Sequence, residues 1–286
     1  MAVYKHTYKA WTGRPTPAWS RFLILARYGY ARLFHSRFLL LFFALCLFYP
    51  FVCLAYIYLS HNTTLLATLL IPASLLPAVD GRFFYSYSIV QGAFAYLLTA
   101  LVGPALVSPD LANGALPLFF SRPFSRAEYA AGKLSLLLAL LSLITWVPGL
   151  LLFAIQSSVA GWDWAKSNLW LAGAIFFGLG VWVVVLALIG LALSAWVKWR
   201  VAASALVLGV FFAGAGFGAA INSVMRTNYG TLIDLEQMVR IIWSELFRYD
   251  SGAEISVSTA WIVLGLTCGV CVWLLARRIR PFEIVK

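Results

Sequence analysis

Charged residues are scarce in this chain of 286 residues: 11% are Asp, Glu, Lys or Arg, whereas 63% are hydrophobic and the mean hydropathy is +0.89. Soluble domains carry about 25% charged residues, so a water-soluble fold is excluded. The apolar runs are long enough to cross a hydrocarbon core about 30 Å thick. They also lack the alternation that the strands of a membrane β-barrel require. The sequence therefore predicts an all-α, polytopic membrane protein.

Motifs for catalysis and metal binding are also missing. The three histidines, His6, His35 and His61, lie far apart, and neither HExxH nor GxSxG occurs. Cys268 and Cys271 have a C-x-x-C spacing, but they lie in an apolar run with no neighbouring histidine or acid. This context favours packing over a metal site. We therefore expect neither enzyme activity nor a metal site in this chain.

A source of energy for transport is absent as well. No G-x-x-x-x-G-K-[ST] phosphate loop occurs, because Ala127 stands where that motif needs its first glycine and Leu134 follows Lys133. Ion-driven carriers bury ionisable residues in mid-membrane, whereas the long apolar runs contain no Asp, Glu, Lys or Arg. We expect neither ATP hydrolysis by this chain nor ion coupling.

Six apolar runs predict transmembrane helices. The stretch Leu65–Val79 is a weaker candidate, because it is shorter than the roughly 17 to 25 residues usually needed and contains Pro72 and Pro77. We place it outside the membrane core. The predicted spans are Phe38–Leu59, Phe83–Val107, Leu134–Gln156, Leu169–Leu193, Val201–Ile221 and Thr259–Leu275.

Lysine and arginine are distributed unevenly between these spans. Most of the 21 lie before span 1, between spans 2 and 3, between spans 4 and 5, and in the basic tail 276–286. Because these residues collect on the cytoplasmic side, the pattern predicts a multi-pass protein of the cell (inner) membrane with both termini cytoplasmic. The formal net charge of +11 is then a membrane-surface charge and does not indicate nucleic-acid binding.

The chain divides into an amino-terminal segment, residues 1–37, and a six-span domain, residues 38–286. In the first, Thr16 and Pro17 are typical of a helix start, and an apolar arc predicts an amphipathic helix lying along the cytoplasmic membrane surface. A cytosolic extension of span 1 is the alternative. The arc comprises Trp19, Phe22, Leu23, Ala26, Tyr30, Leu33 and Phe34, and Ile24 and Leu25 interrupt it.

The loop at 108–133 carries structure signals and exposed aromatics, which favour a docking surface. Pro109 and Asp110 predict the first turn of a short helix that reaches about Leu118. An apolar patch with a basic edge at Arg122 follows. The patch is expected to bind either a cytosolic partner or the lipid headgroups. Its residues are Leu116, Leu118, Phe119 and Phe120.

The second half of this loop predicts where the third membrane helix starts. Ser125 followed by Glu128 is a capping box. Phe124 before the cap and Tyr129 at the fourth helical position are placed to form its hydrophobic staple. The helix of span 3 is therefore expected to begin in the cytosol.

These residues resemble the permease subunits of ABC-2-type exporters, in the run Asp110–Leu116 and in Ser121–Tyr129 followed by Gly132-Lys133. The resemblance implies a permease that pairs with a second copy or a related subunit. It also implies separate ABC ATPase subunits that hold ATP and Mg, with no cofactor in this chain. The implied ATPase-coupling residues are Asp110, Asn113, Leu116, Phe119, Arg122, Phe124, Ser125, Arg126, Glu128 and Tyr129.

Two further features lie near span 5. Gly214 and Gly218 form a GxxxG match, which permits either packing within the chain or a subunit or pathway interface. The segment 222–258 is predicted to be an extracytoplasmic helical loop with a cap at Thr231. It resembles the external helices that roof the exporter pathway, and a helix lying on the surface is the alternative.

A function of another class stays open. The same loop suits a non-transporting membrane scaffold or assembly factor that recruits a cytosolic partner. The sequence also leaves lipid, peptide, drug and glycan open as cargo.

Overall fold

The structure of the protein is a computed structural model. It describes Pro17, 20–68, Pro72, 76–120, 125–250, Gly252 and 254–278. Over these residues the fold is all-helical, without a β-strand, and six segments are long and apolar enough to cross a membrane. The prediction of an all-α chain with six such helices is confirmed.

The described residues form thirteen α-helices. In chain order they are α1 (Arg21–Phe34), α2 (Arg37–His61), α3 (Thr63–Thr68), α4 (Gly81–Val102), α5 (Pro104–Ala112), α6 (Leu116–Phe120), α7 (Arg126–Ile144), α8 (Trp146–Ala160), α9 (Trp162–Ser167), α10 (Leu169–Trp196), α11 (Arg200–Met225), α12 (Leu235–Leu246) and α13 (Val257–Arg278), with a 3₁₀ helix at Tyr229–Ile233 before α12.

The spans match the predicted runs in order and reach beyond them at one or both ends. Span 1 is α2, span 4 is α10, span 5 is α11 and span 6 is α13, whereas α4 with α5 forms span 2 and α7 with α8 forms span 3. In the stretch Leu65–Val79, the helical part of the described residues ends at Thr68. The described part of this stretch therefore holds no seventh spanning helix.

Span 3 is broken at Thr145, a feature that its uninterrupted apolar run did not predict. Pro148 accounts for the break, because it has no N–H for the carbonyl of Ile144 and its ring crowds that carbonyl. Two side chains of span 2 donate to carbonyls at the break, where the Ile144 oxygen lacks its helical donor and the Thr145 oxygen also accepts the Gly149 N–H at 3.2 Å. Gln91 Nε2 donates to Ile144, and the Tyr87 hydroxyl donates to the Thr145 carbonyl at 2.8 Å. Backbone groups freed inside a membrane are thus satisfied by a neighbouring helix.

Span 4 is the centre of the bundle. Of the most apolar stretch of span 4, 72% is buried inside the bundle, compared with 17% for span 1 and 22% for each of spans 5 and 6. It packs against both halves of span 2, both halves of span 3, and spans 5 and 6. Spans 1, 5 and 6 therefore direct most of their apolar surface outward.

The helix between spans 5 and 6 is α12, and it packs into the bundle. Its cap is Asp234, whose Oδ1 accepts a backbone N–H of the first turn at 3.1 Å, so the predicted cap at Thr231 is wrong. Ile242 and Trp243 are buried. Trp243 Nε1 donates to the carbonyl of Gly178 in span 4 at 2.8 Å. The helix is thus amphipathic, as predicted, with its apolar face against the spans.

Candidate functional site

Residues 108–112 of the loop belong to α5, which starts earlier than predicted and ends at Ala112, before the predicted end near Leu118. Proline is favoured at the first helical position because its φ is preset there, and Pro104 takes that role in α5. Pro109 therefore lies inside the helix, and Asp110 lies in the last turn instead of the first. The predicted helix start at Pro109 is wrong.

Two serines fix α5 to span 4. The backbone N–H groups of Val107 and Ser108 donate to Ser194 Oγ at 3.2 and 3.0 Å. The Ser108 hydroxyl donates to the Ser194 carbonyl at 3.0 Å. Both serines are fully buried, so the loop is tied to the central helix of the bundle. Sequence reasoning missed this pair, because no pattern links residues so far apart.

The second half of the loop begins with the predicted capping box. The Glu128 backbone N–H donates to Ser125 Oγ at 3.2 Å, and the Ser125 backbone N–H donates to Glu128 Oε2 at 2.6 Å. Both donors would otherwise be unpaired at a helix end. The capping box is confirmed, and α7 begins at Arg126.

Three side chains join the end of span 2 to the start of span 3. The Tyr129 hydroxyl donates to Asp110 Oδ2 at 2.7 Å, and Lys133 Nζ lies 2.8 Å from the same oxygen. The ammonium also lies 5.5 Å from the centroid of the Tyr129 ring, within the range of a cation–π contact. Tyr129 is fully buried. We call Asp110, Tyr129 and Lys133 the loop triad.

The apolar patch predicted between the two helices is only partly exposed. Leu116 is buried, and the Phe119 ring packs 5.4 Å from the Tyr129 ring. Leu118 is 72% exposed. Asn113 is exposed at the turn after α5, where Gly114 has φ +61°, a left-handed conformation that favours glycine. Leu118 and Asn113 are therefore accessible to a partner, whereas Leu116 and Phe119 hold the loop in place.

Two predicted site residues, Arg122 and Phe124, lie outside the described residues, which resume at Ser125. The basic edge and the hydrophobic staple stay predictions. Tyr129, the expected partner of Phe124 in that staple, contacts Phe119.

The amino-terminal helix α1 lies against α7, next to the loop. Its cap is Ser20, and the predicted cap Thr16 lies outside the described residues. Leu25, which interrupts the predicted apolar arc, faces α7, whereas Leu23 and Phe34 of that arc are exposed. The packed face of α1 is thus rotated from the predicted arc, because α7 covers it. The location of α1 at the membrane surface stays a prediction.

Two glycines allow α1 and α7 to approach closely. A Cβ at Gly132 would lie 2.7 Å from the backbone oxygen of Phe22, and one at Gly29 would collide with the Leu136 side chain. The Tyr30 hydroxyl donates to the Leu136 carbonyl at 3.1 Å. Burial raises the pKa of Tyr30, so this hydroxyl stays a neutral donor. Gly132 is therefore a packing residue, which sequence reasoning had noted only as part of a motif.

Gly214 and Gly218 of span 5 pack within the chain. A Cβ at Gly214 would lie 2.8 Å from the backbone oxygen of Ile233, and one at Gly218 would lie 2.6 Å from that of Gly230. These glycines thus seat the 3₁₀ helix on span 5. The geometry agrees with intrachain packing, the first of the two alternatives for the GxxxG match.

The exposed groups of the loop are suited to protein recognition. Asn113, Leu118, Ser125 and Arg126 of this loop are exposed, and Glu128 is partly exposed. In the part of the chain that the structure describes, no group of three or more His, Cys, Asp or Glu residues is placed to hold a metal ion. The surface combines an apolar residue, an amide and charges on a rigid base.

Comparison with known proteins gave no match to this chain, either among protein-family models or among curated proteins.

Proposed function

We propose that the chain is the permease subunit of an ABC-2-type exporter. In this proposal the 108–133 loop docks on a separate ABC ATPase, which holds ATP and Mg, and both termini of the permease are cytoplasmic. Two permeases, either identical or related, enclose the substrate pathway between them. The chain itself performs no catalysis.

The loop triad is the observation that carries this proposal. A loop that only connected two spans would need no internal structure, whereas this one is held by charge-assisted contacts between Asp110, Tyr129 and Lys133. Ser108 and Ser194 tie it to span 4 as well. A push on the loop would therefore move spans 2, 3 and 4 together. Such a rigid link is what a transporter driven by an external motor requires.

The outward surfaces of spans 1, 5 and 6 support assembly with a second permease. In each of these helices at most 22% of the most apolar stretch is buried. A subunit interface would cover part of the apolar surface that is left exposed. Lipid covers the remainder. A pathway lined by spans 2 and 5, with α12 at its outer end, is consistent with this arrangement.

Copurification tests the proposal and separates it from the scaffold alternative. We expect the full-length permease, purified in mild detergent from cells that express it, to retain an ATPase chain with a phosphate-loop motif. A stable complex without a nucleotide-binding chain would favour the scaffold.

Arg122 provides a sharper version of this test. We expect the Arg122→Glu permease to stimulate ATP hydrolysis by the ATPase subunit less than the wild-type permease does. The reason is that reversing the charge weakens a contact at the edge of the docking surface. Lys198→Glu is the matched control, since Lys198 lies in the loop between spans 4 and 5 on the same side of the bundle. Equal stimulation by the wild-type chain and Arg122→Glu would contradict the role of Arg122.

A further inference from the structure

A crevice of about 520 Å³ lies between α7, α10 and α13. Its volume falls in the range of about 300–1,000 Å³ that is typical of ligand sites. The walls include Ala127, Ala130 and Ala131 of α7, Leu188 of α10 and Val272 of α13.

Small side chains explain why the crevice exists. Both α7 and α13 pack against α10, and the three alanines of α7 leave space where larger residues would meet α13. Ala127 and Ala131 are exposed, so the space is accessible from outside the bundle. Because the lining of the walls is apolar, an occupant gains most by burying hydrocarbon there.

Basic residues lie at the same end of the bundle as the crevice. Arg126, the first residue of α7, lines it and is exposed. Arg277 and Arg278 form the last turn of α13. Their guanidinium groups lie over the rings of Trp273 and Trp196, at 5.1 and 5.7 Å from the centroids.

No carboxylate neutralises these three arginines within the described part of the chain. The ion pairs found there join Lys133 to Asp110 and Arg240 to Glu236. Glu128, the acidic residue nearest in sequence to Arg126, accepts from the Ser125 backbone. In the described part of the chain, the apolar crevice therefore opens next to arginines that form no ion pair.

We propose that this crevice binds one anionic phospholipid. An acyl chain lies against the three alanines of α7, and the phosphate lies at Arg126 near the basic end of α13. Basic pockets between membrane helices recognise anionic headgroups in this way, and the buried acyl chain adds favourable apolar contact. The lipid would bridge α7 and α13. This inference depends on the membrane location of the chain and does not depend on the exporter assignment.

Native mass spectrometry of the purified full-length chain tests the site. The protein is exchanged into detergent with either phosphatidylglycerol or phosphatidylcholine, and bound lipid is counted after mild activation. We expect phosphatidylglycerol to be retained about fivefold better than phosphatidylcholine, since Arg126, the arginine that lines the crevice, contributes about 1 kcal/mol beside an anionic headgroup.

Two variants locate the binding. Arg126→Gln is expected to lower phosphatidylglycerol retention about fivefold, and Ala131→Trp is expected to lower it by filling the crevice. The matched controls are Arg200→Gln, an exposed arginine at the start of α11, and Ala205→Trp, an exposed alanine of span 5. Neither control residue lines the crevice, so both proteins should retain lipid as the wild type does.

Equal retention of the two lipids by the wild type would overturn the proposal. An equal loss in the test variants and in their controls would do the same. Absence of retained lipid from the intact chain would also overturn it, as expected if residues 279–286 or a partner protein filled the crevice.

Discussion

Asp110 carries a charge that its own helix disfavours. A carboxylate in the last turn of a helix faces the negative end of the helix dipole, and Asp110 lies in the last turn of α5 with 16% of its side chain exposed. Lys133 and the Tyr129 hydroxyl offset this cost by pairing with one carboxylate oxygen. The position is therefore explained by its contacts to α7 and not by helix propensity.

Replacing Asp110 tests this account. We expect Asp110→Leu to lower the free energy of unfolding by about 1.5–3 kcal/mol, the value of hydrogen bonds to a charged group, because Lys133 is left partly buried and unpaired. Unfolding in mixed micelles, followed by circular dichroism, measures the change. Asp163→Leu, at an exposed acidic residue of α9, is the control.

A double variant separates the triad from a general effect of the substitution. Asp110→Leu combined with Lys133→Leu removes both charges, so the combined loss should be smaller than the sum of the two single losses. Additive losses would contradict a direct pairing of Asp110 and Lys133.

At the scale of the helices, the break in span 3 shows how a neighbouring helix supplies a hydrogen-bond donor that the broken helix lacks. Pro148 frees the Ile144 carbonyl, and Gln91 of span 2 donates both to that oxygen and to the Cys46 carbonyl of span 1. Gln91 is fully buried. One amide group thus links three spans in the middle of the bundle.

Removal of that amide should therefore destabilise the bundle. We expect Gln91→Leu to cost about 1–3 kcal/mol of unfolding free energy, since buried carbonyl oxygens lose their donor. Adding Pro148→Ala should recover part of this loss, because an alanine there would supply a backbone N–H to the Ile144 carbonyl. Gln156→Leu is the control: both glutamines are buried with a side-chain oxygen that has no partner among the described residues, whereas Gln91 in addition donates to carbonyls of spans 1 and 3. An equal effect of Gln91→Leu and Gln156→Leu would contradict the link.

The contact between α1 and α7 depends on Gly132. We expect Gly132→Leu to separate α1 from α7, because a Cβ would lie 2.7 Å from the backbone oxygen of Phe22 and backbone cannot move aside as a flexible side chain does. Isolated helices of about 12–15 residues are marginal in water. Hydrogen exchange of the α1 amides should therefore rise about tenfold.

Gly269→Leu is the matched control for this experiment, since nothing lies within 4 Å of a Cβ at that position in span 6. If exchange in α1 were the same in both variants, Gly132 would not hold the two helices together.

Local signals predicted some elements well and others poorly. The spans and the capping box at Ser125 depend on residues close in sequence, and the structure contains both. The position of Asp110 in its helix was predicted wrongly because α5 starts at Pro104 and not at Pro109. The packing of Leu25 was missed because it depends on α7, and predicting it requires knowing which helices meet.

Across the whole molecule, burial and charge divide the chain into regions with different tasks. Span 4 provides the core, whereas spans 1, 5 and 6 are mostly outward. The lysines and arginines collect in alternate loops, and the positive-inside rule therefore predicts a cytosolic location for the 108–133 loop. The sequence shows the uneven distribution of charge, whereas the central position of span 4 is known only from the structure. The contacts of Ser194 and Lys133, which make the loop rigid, join distant positions that no periodic pattern connects.

Site-specific photo-crosslinking in intact cells tests the proposed ATPase contact most directly. A photoreactive residue is placed at Leu118, which is 72% exposed in the loop, or at Tyr229, which is 76% exposed between spans 5 and 6. An odd number of candidate spans separates the two positions, so the six-span topology predicts that they lie on opposite sides of the membrane. We predict that Leu118 crosslinks to a chain with a phosphate-loop motif and that Tyr229 does not. If a cysteine introduced by Leu118→Cys reacted with a membrane-impermeant thiol reagent added outside the cell, the account would be contradicted. Crosslinks from position 118 only to proteins without that motif would contradict it as well.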